Sequence, residues 1–251
     1  MFNPFKKSLR QKDFKEVRRF FVNHFKQLHD AKEGIPQDVF DVSSFFITEA
    51  VQLFDSIDIL TSKNHFRGCL PIARTIMEIS INFQYIYKQD VEKRAKNFKL
   101  DSMWEMKRKG DSVADESVNN PAYQEYMSKI ADELKDYKKV KKTVYEKAKE
   151  TNMESSYIST YRRLSEYVHS GYQPVRDFDE KGPYNDFLNR VVHSDTVMFI
   201  LMGLKCMCEK YDLDGGFMVI DDPGYKGIVF FSTNPKKEEE RNKAYEESKK
   251  K

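Results

Sequence analysis

His169 closes the run Tyr161-Arg162-Arg163-Leu164-Ser165-Glu166-Tyr167-Val168-His169, which carries guanidinium, hydroxyl and imidazole groups at helical spacing. Arg162 lies seven residues before the histidine, two helical turns, so both side chains leave nearly the same face. Ser165, four residues before His169, lies between them. Such a surface suits a phosphodiester. An imidazole titrates near neutral pH and can take the proton of a ribose 2′-hydroxyl. A guanidinium can hold the phosphate in bidentate fashion and stabilise the charge that builds as the 2′-oxygen attacks phosphorus. No metal is required. Arg163, next to Arg162, leaves open which guanidinium does this work.

The same spacing recurs where no chemistry is expected. Arg18 and Arg19 precede His24 in a segment that reads as a plain amphipathic helix, so spacing alone makes His169 a capping or packing residue first. Other signals fall short. The chain has no glycine-rich phosphate loop, no G-x-S-x-G turn and no H-E-x-x-H. Cys206-x-Cys208 has no second pair, and on a helix its thiols diverge by about 200°, which makes both core or near-core residues. Asp212-x-Asp214-Gly215 starts like a calcium loop but lacks the later ligands, and reads as a helix stop. Glu166-x-x-His169 is half of a di-iron motif. Glu49 and Glu78 could add carboxylates, but no second Glu-x-x-His exists. No metal and no cofactor are expected.

Helices must position these residues. The first is expected from about Asp13 to Lys32, with Phe14, Val17, Phe21, Phe25 and Leu28 on one face. Gly34 stops it, and Pro36 opens a long apolar helix through Val39, Phe46, Leu53 and Ile57. Another starts near Ser62 and runs to Ile86, with Pro71 kinking it or marking a boundary. A polar helix with Trp104 spans about Asp90 to Lys109. After a loop to Asn120, Pro121 opens a single Lys-rich helix to about Lys149. Ser155 or Ser156 caps the short helix that ends by Ser170-Gly171. The last helix runs from Pro183 to Tyr211. Phe217 to Ile220 and Ile228 to Phe231, around Asp221-Asp222-Pro223-Gly224, predict a β-hairpin. The fold class expected is all-α, a helical bundle with a small C-terminal β-hairpin and a charged tail. Its parts are an amphipathic helix over 1–35, the bundle over 36–212, the hairpin over 213–233 and the tail over 234–251.

Arg74 and Glu78 share one face of the third helix, four residues apart. They read either as an intrahelical ion pair or as groups beside His169, with Glu78 orienting the imidazole or an arginine. Two stretches carry a resemblance: Arg67-Gly-Cys-Leu-Pro-Ile-Ala-Arg74-Thr-Ile-Met-Glu78, continuing to Asn82 and Tyr85, and Tyr161-Arg162-x-x-Ser165-x-x-x-His169-Ser-Gly171. Together they are similar to an uncharacterised bacterial domain-of-unknown-function family with an R-x-x-x-E helix and a later Y-R-x-x-S-x-x-x-H helix. The similarity extends over about residues 40–210. That family resembles the HEPN superfamily, helical bundles associated with metal-independent RNA cleavage in toxin and phage-defence systems. The resemblance implies His169 as base and Arg162 as phosphate clamp, with Arg163 and Ser165 beside them and Arg74, Glu78 and Tyr161 in support. In the familiar HEPN pattern a polar residue often follows the arginine; here Arg163 does.

Composition narrows the setting. Three cysteines, Cys69, Cys206 and Cys208, in a chain without a signal-like start predict reduced thiols and a cytoplasmic protein. The longest apolar run, Val197 to Leu204, is too short for a membrane span. Net charge is only +3, but residues 1–30 hold eight Lys/Arg against three Asp/Glu, and 133–149 seven against three. Either stretch could meet an anionic polymer, or be an ordinary solvated helix face. The expected function is a metal-independent HEPN-type endoribonuclease, a toxin or phage-defence effector acting on RNA as a homodimer and held in check by a regulatory or antitoxin partner. The alternatives are a non-catalytic nucleotide- or RNA-binding bundle and a plain protein-interaction module.

Overall fold

The apolar periodicity of the N-terminal third becomes two long helices in the computed structural model, which describes residues 11–63, 65–110, 121–139, 142–168, 192, 195–213, 217–222 and 225–230. These are α1 (Gln11–Asp30) and α2 (Gln37–Ser62), joined through a 3-10 turn at Lys32–Gly34. Phe21 and Leu28 of α1 are fully buried, and the Phe21 ring stacks on Phe54 of α2 at 5.6 Å. The expected catalytic decoy, His24, is a core residue. It is buried, with Nδ1 2.8 Å from the Phe20 carbonyl and its ring against Phe20.

Next come α3 (Phe66–Lys88) and α4 (Val91–Gly110). α2 extends to Ser62, with the Thr61 and Ser62 hydroxyls bonded back to the Ile57 and Ile59 carbonyls, and α3 begins at Phe66 rather than at Ser62. Pro71 lies inside α3, where its missing N–H leaves a first-turn carbonyl without its helical donor. Leu70, Ala73, Ile76, Met77 and Ile81 are fully buried. Each large side chain among them stabilises the bundle by about 1.5–3 kcal/mol. α4 is tied to α2 by Lys99, whose ammonium lies 2.7 Å from Asp38 and 2.8 Å from Asp41.

The single Lys-rich helix expected over 121–149 is two helices, α5 (Pro121–Glu133) and α6 (Val144–Glu150). Ile130 and Leu134 pack on Leu100 and Trp104, and the Tyr137 hydroxyl donates to Asp101 at 2.6 Å, so the chain turns to dock on α4. α6 then restarts on a capping box, with Thr143 and Glu146 satisfying each other's backbone N–H. That Thr-x-x-Glu signature is present in the sequence.

α7 (Glu154–Ser156) runs through a π-helical turn at Tyr157–Tyr161 into α8 (Arg162–Val168), and α9 (Thr196–Tyr211) comes last among the helices described. α3 is the hub: α2, α4, α6, α8 and α9 all pack on it. The fold is thus an all-α bundle. Two short strands, β1 (Phe217–Asp222) and β2 (Tyr225–Phe230), pair antiparallel with Phe217 opposite Phe230. The start of the last helix at Pro183, the turn residues Pro223 and Gly224, the loop over 111–120, the tail over 234–251 and His169 itself lie outside the described residues.

The tight contact between α9 and α3 at Gly203 has a measurable consequence. A Cβ on Gly203 of α9 would sit 2.8 Å from Cδ1 of Phe83, whose ring is wedged against Phe46 and Tyr87. Helix propensity alone predicts that Gly203→Ala gains about 1 kcal/mol. Overpacking at this contact opposes that gain with about 1–3 kcal/mol. The expected result is a lower midpoint in thermal or urea unfolding; a raised midpoint would show that Phe83 yields without cost.

Candidate functional site

The outer face of α3 is a polar stripe, Arg74, Glu78, Asn82 and Tyr85, all partly exposed while the neighbouring turns are buried. Its spacing of three to four residues keeps the four side chains in one row. α8 and the π turn lie against the upper end of this row, and α6 against the lower end.

At the upper end Arg74 reaches across to the other helix. Its Nε donates to the Ser165 hydroxyl at 3.0 Å, and its Nη2 donates to the Tyr161 hydroxyl at 2.7 Å. The Tyr161 hydroxyl in turn donates to Glu78 Oε2 at 3.0 Å, and the guanidinium lies 4.8 Å from the Tyr161 ring centre. The direct Arg74–Glu78 pair is a looser 3.8 Å. So this is not a simple intrahelical ion pair, because a tyrosine from α8's approach stands between the two charges. Burial, and next the Glu78 carboxylate, raise the Tyr161 phenol's pKa, which keeps its hydroxyl a donor. The Ser165 hydroxyl donates to the Tyr161 carbonyl at 2.9 Å. With its proton committed there and its oxygen taken by Arg74, Ser165 serves as an anchor for α8.

Arg162 points the other way. It is exposed and has no ion-pair partner among the described residues. Arg163 is half-buried and engaged, and Glu166 is exposed. The structure therefore brings together Arg74, Glu78, Tyr161 and Ser165, and leaves Arg162 available at the surface of the same helix. His169 comes directly after Val168, the last described residue of α8.

At the lower end stands Lys147, which sequence reasoning missed. It is one of seven basic residues in 133–149, yet its ammonium is largely buried and donates to Asn82 Oδ1 at 2.8 Å. Burial lowers its pKa, against the opposing pull of Asp101 and Glu78. Just beyond, Arg94 lies 3.9 Å over the Tyr85 ring and bonds to Glu150, which also holds Lys142 at 2.6 Å. This second knot latches α4 to α6.

A family model spans residues 40–183, from α2 past the whole Arg74–Ser165 cluster and His169. The chain belongs to the DUF5677 family, a family of unknown function. The span is shorter than the resemblance over 40–210 suggested, and it leaves out α9, although α9 packs on α3. No curated protein and no solved structure matches the chain. In this DUF5677 chain the described residues include no group of His, Cys, Asp and Glu that could hold a metal ion, and no helix long and apolar enough to cross a membrane. Cys69 and Cys208 are buried and Cys206 is half-buried, all as free thiols, and burial pushes Cys69 up to about 11. A hollow of about 380 Å³ between α3 and α9 is lined by Gln84, Tyr87, Thr151 and Cys206 and includes no member of the Arg74 cluster.

Proposed function

We propose that this DUF5677 protein is a metal-independent endoribonuclease of the HEPN kind, with His169 as general base and Arg162 as phosphate clamp. One observation carries the reading: Arg74, Tyr161 and Glu78 lock the Tyr161–Ser165 segment to α3 in the turns just before His169. A guanidinium half-buried against a tyrosine and bonded to a serine across two helices is a costly way to hold a helix. It is worth that cost where a side chain must be aimed. Covalent continuity keeps the His169 Cα about 3.8 Å from that of Val168.

In this mechanism the 2′-hydroxyl gives its proton to the His169 imidazole, and its oxygen bonds to phosphorus. The bond from phosphorus to the 5′-oxygen breaks, and that oxygen takes a proton from an imidazolium. The products are a 2′,3′-cyclic phosphate and a 5′-hydroxyl. One chain offers a single candidate histidine for two proton roles, so the proposed working form is a homodimer with both copies of His169 beside a two-fold axis. Two strands alone are marginal, so the β1–β2 hairpin is taken as an appendage resting on the bundle or on the second copy. A cytoplasmic toxin or defence role, restrained by an antitoxin or regulatory partner, belongs to the same proposal. A second reading, a bundle that binds RNA without cutting it, is favoured by the way the Arg74 cluster spends its donors on itself.

RNA and its blocked analogues separate the two. The catalytic reading expects cleavage of unmodified RNA by the purified chain, and no cleavage of DNA or of RNA with a 2′-O-methyl group at the cut position. Equal cutting of DNA would contradict it, and binding without cutting would favour the second reading.

A further inference from the structure

Gln84 is a polar side chain that the core almost encloses, at 6% exposure. The Ser80 hydroxyl gives its proton to the Phe199 carbonyl, so towards Gln84 it can only accept. That fixes the carboxamide. Its Nε2 donates to Ser80 at 3.1 Å and to the Met153 sulfur, and its Oε1 is left with no donor among the described residues. Oε1 is not one of the sealed, unmatched atoms of the core, so it reaches open space. The open space that Gln84 lines is the hollow of about 380 Å³ between α3 and α9. An acceptor left without a donor on a buried side chain is unfavourable, and a ligand that donates to it relieves this.

The rest of the lining sorts by charge. Thr151 commits its proton to the Lys147 and Ala148 carbonyls, which leaves its oxygen able to accept. The Tyr87 hydroxyl is bonded to Ser43 and the Cys206 thiol to the Met202 carbonyl, so both contribute walls rather than donors. α3, α6 and α9 all end beside the hollow, at Lys88, Glu150 and Tyr211, and helix C-termini carry partial negative charge. The interior therefore attracts a cationic donor. Its mouth has the opposite sign. Lys88 and Lys210 are exposed there, and neither has a carboxylate in ion-pair range among the described residues. Glu209, also at the mouth, is engaged by Lys205 at 3.5 Å.

We propose that the hollow between α3 and α9 is a binding site for a small zwitterion, an amino acid. Its ammonium donates to Gln84 Oε1 and the Thr151 oxygen, and its carboxylate lies between Lys88 and Lys210. The volume suits one small molecule and no polymer. The site shares no residue with the proposed ribonuclease machinery, so either can fail without the other.

Isothermal titration calorimetry of the full chain with each of the twenty amino acids tests the site. At least one is expected to bind more tightly than about 1 mM. Its decarboxylated amine and its deaminated acid should each bind at least tenfold more weakly, since each lacks one charged partner. Lys88→Ala combined with Lys210→Ala, at two exposed positions, should cost about tenfold in affinity and leave the unfolding midpoint alone. Lys129→Ala, on α5, should change neither. Gln84→Met should also cost about tenfold, with its unfolding midpoint read beside it because Gln84 holds Ser80 as well. No binding by any amino acid, an amine or acid that binds as tightly as its parent, or the lysine double variant at wild-type affinity overturns the proposal.

Discussion

His169→Ala is expected to abolish RNA cleavage while leaving the far-UV helical signal at its wild-type value. Each proton-transfer role contributes about 10²–10⁴-fold, and a two-fold dimer loses both the base and the acid in one substitution. Arg162→Ala removes the clamp on the developing negative charge and is expected to cost about 10²–10³-fold. Its side chain is exposed, so the fold should not notice. Arg163 is half-buried and engaged, so Arg163→Ala should act on stability before rate. A greater loss of rate at Arg163 than at Arg162 would move the clamp by one residue along the same helix. His24→Ala is the internal control: it leaves a buried histidine's place empty and lowers the unfolding midpoint without touching the rate. Wild-type rates in both Arg162→Ala and His169→Ala would end the catalytic reading.

Arg74→Ala should be the most damaging change among the residues that never meet RNA. It removes the donor to Ser165, the donor to Tyr161 and the positive partner of Glu78 at once. The side chain is only 27% exposed, so little water can replace those bonds. A stability loss of about 1.5–3 kcal/mol is expected for hydrogen bonds of a charged group. For a chain of this size that lowers Tm by several degrees. Freed from α3, α8 would no longer aim His169, and a misplacement of about 1 Å costs roughly 10²-fold in rate. Arg74→Lys keeps the charge but cannot reach Ser165 and Tyr161 together, so it should recover stability better than rate. Ser165→Ala, which removes one of the three contacts, should fall between wild type and Arg74→Ala. A variant at Arg74 that loses stability but keeps full rate would make the cluster a strut of the bundle alone.

Much of this was legible in the residues. The period of α1 to α4, the stop at Gly34 and the helix start at Pro121 are local signals, and local signals survive folding. Ser165 could be singled out by its spacing from His169, Arg74 and Glu78 by their place four residues apart among apolar neighbours, and Tyr161 by the resemblance of its stretch to a known family. What could not be read was how the motifs meet. The Tyr161 hydroxyl between Arg74 and Glu78 depends on the π turn at Tyr157–Tyr161, and one inserted residue in a helix leaves no periodicity to detect. Lys147 was hidden for another reason: its sequence neighbourhood is the solvated lysine pattern of any surface helix, and only the packing of α6 on α3 buries it. The break between α5 and α6 is marked locally only by Thr143-x-x-Glu146, and the α4 surface on which Tyr137 docks is remote in sequence.

The central claim is that a 2′-hydroxyl attacks phosphorus with protein side chains alone as catalysts. End-group analysis of RNA incubated with the pure chain in excess EDTA tests it most directly. The account predicts undiminished cleavage, with 2′,3′-cyclic phosphate on one fragment and a 5′-hydroxyl on the other, and neither product with His169→Ala. Cleavage that stops in EDTA and returns with a divalent cation, or fragments ending in 3′-hydroxyl and 5′-phosphate, would contradict it.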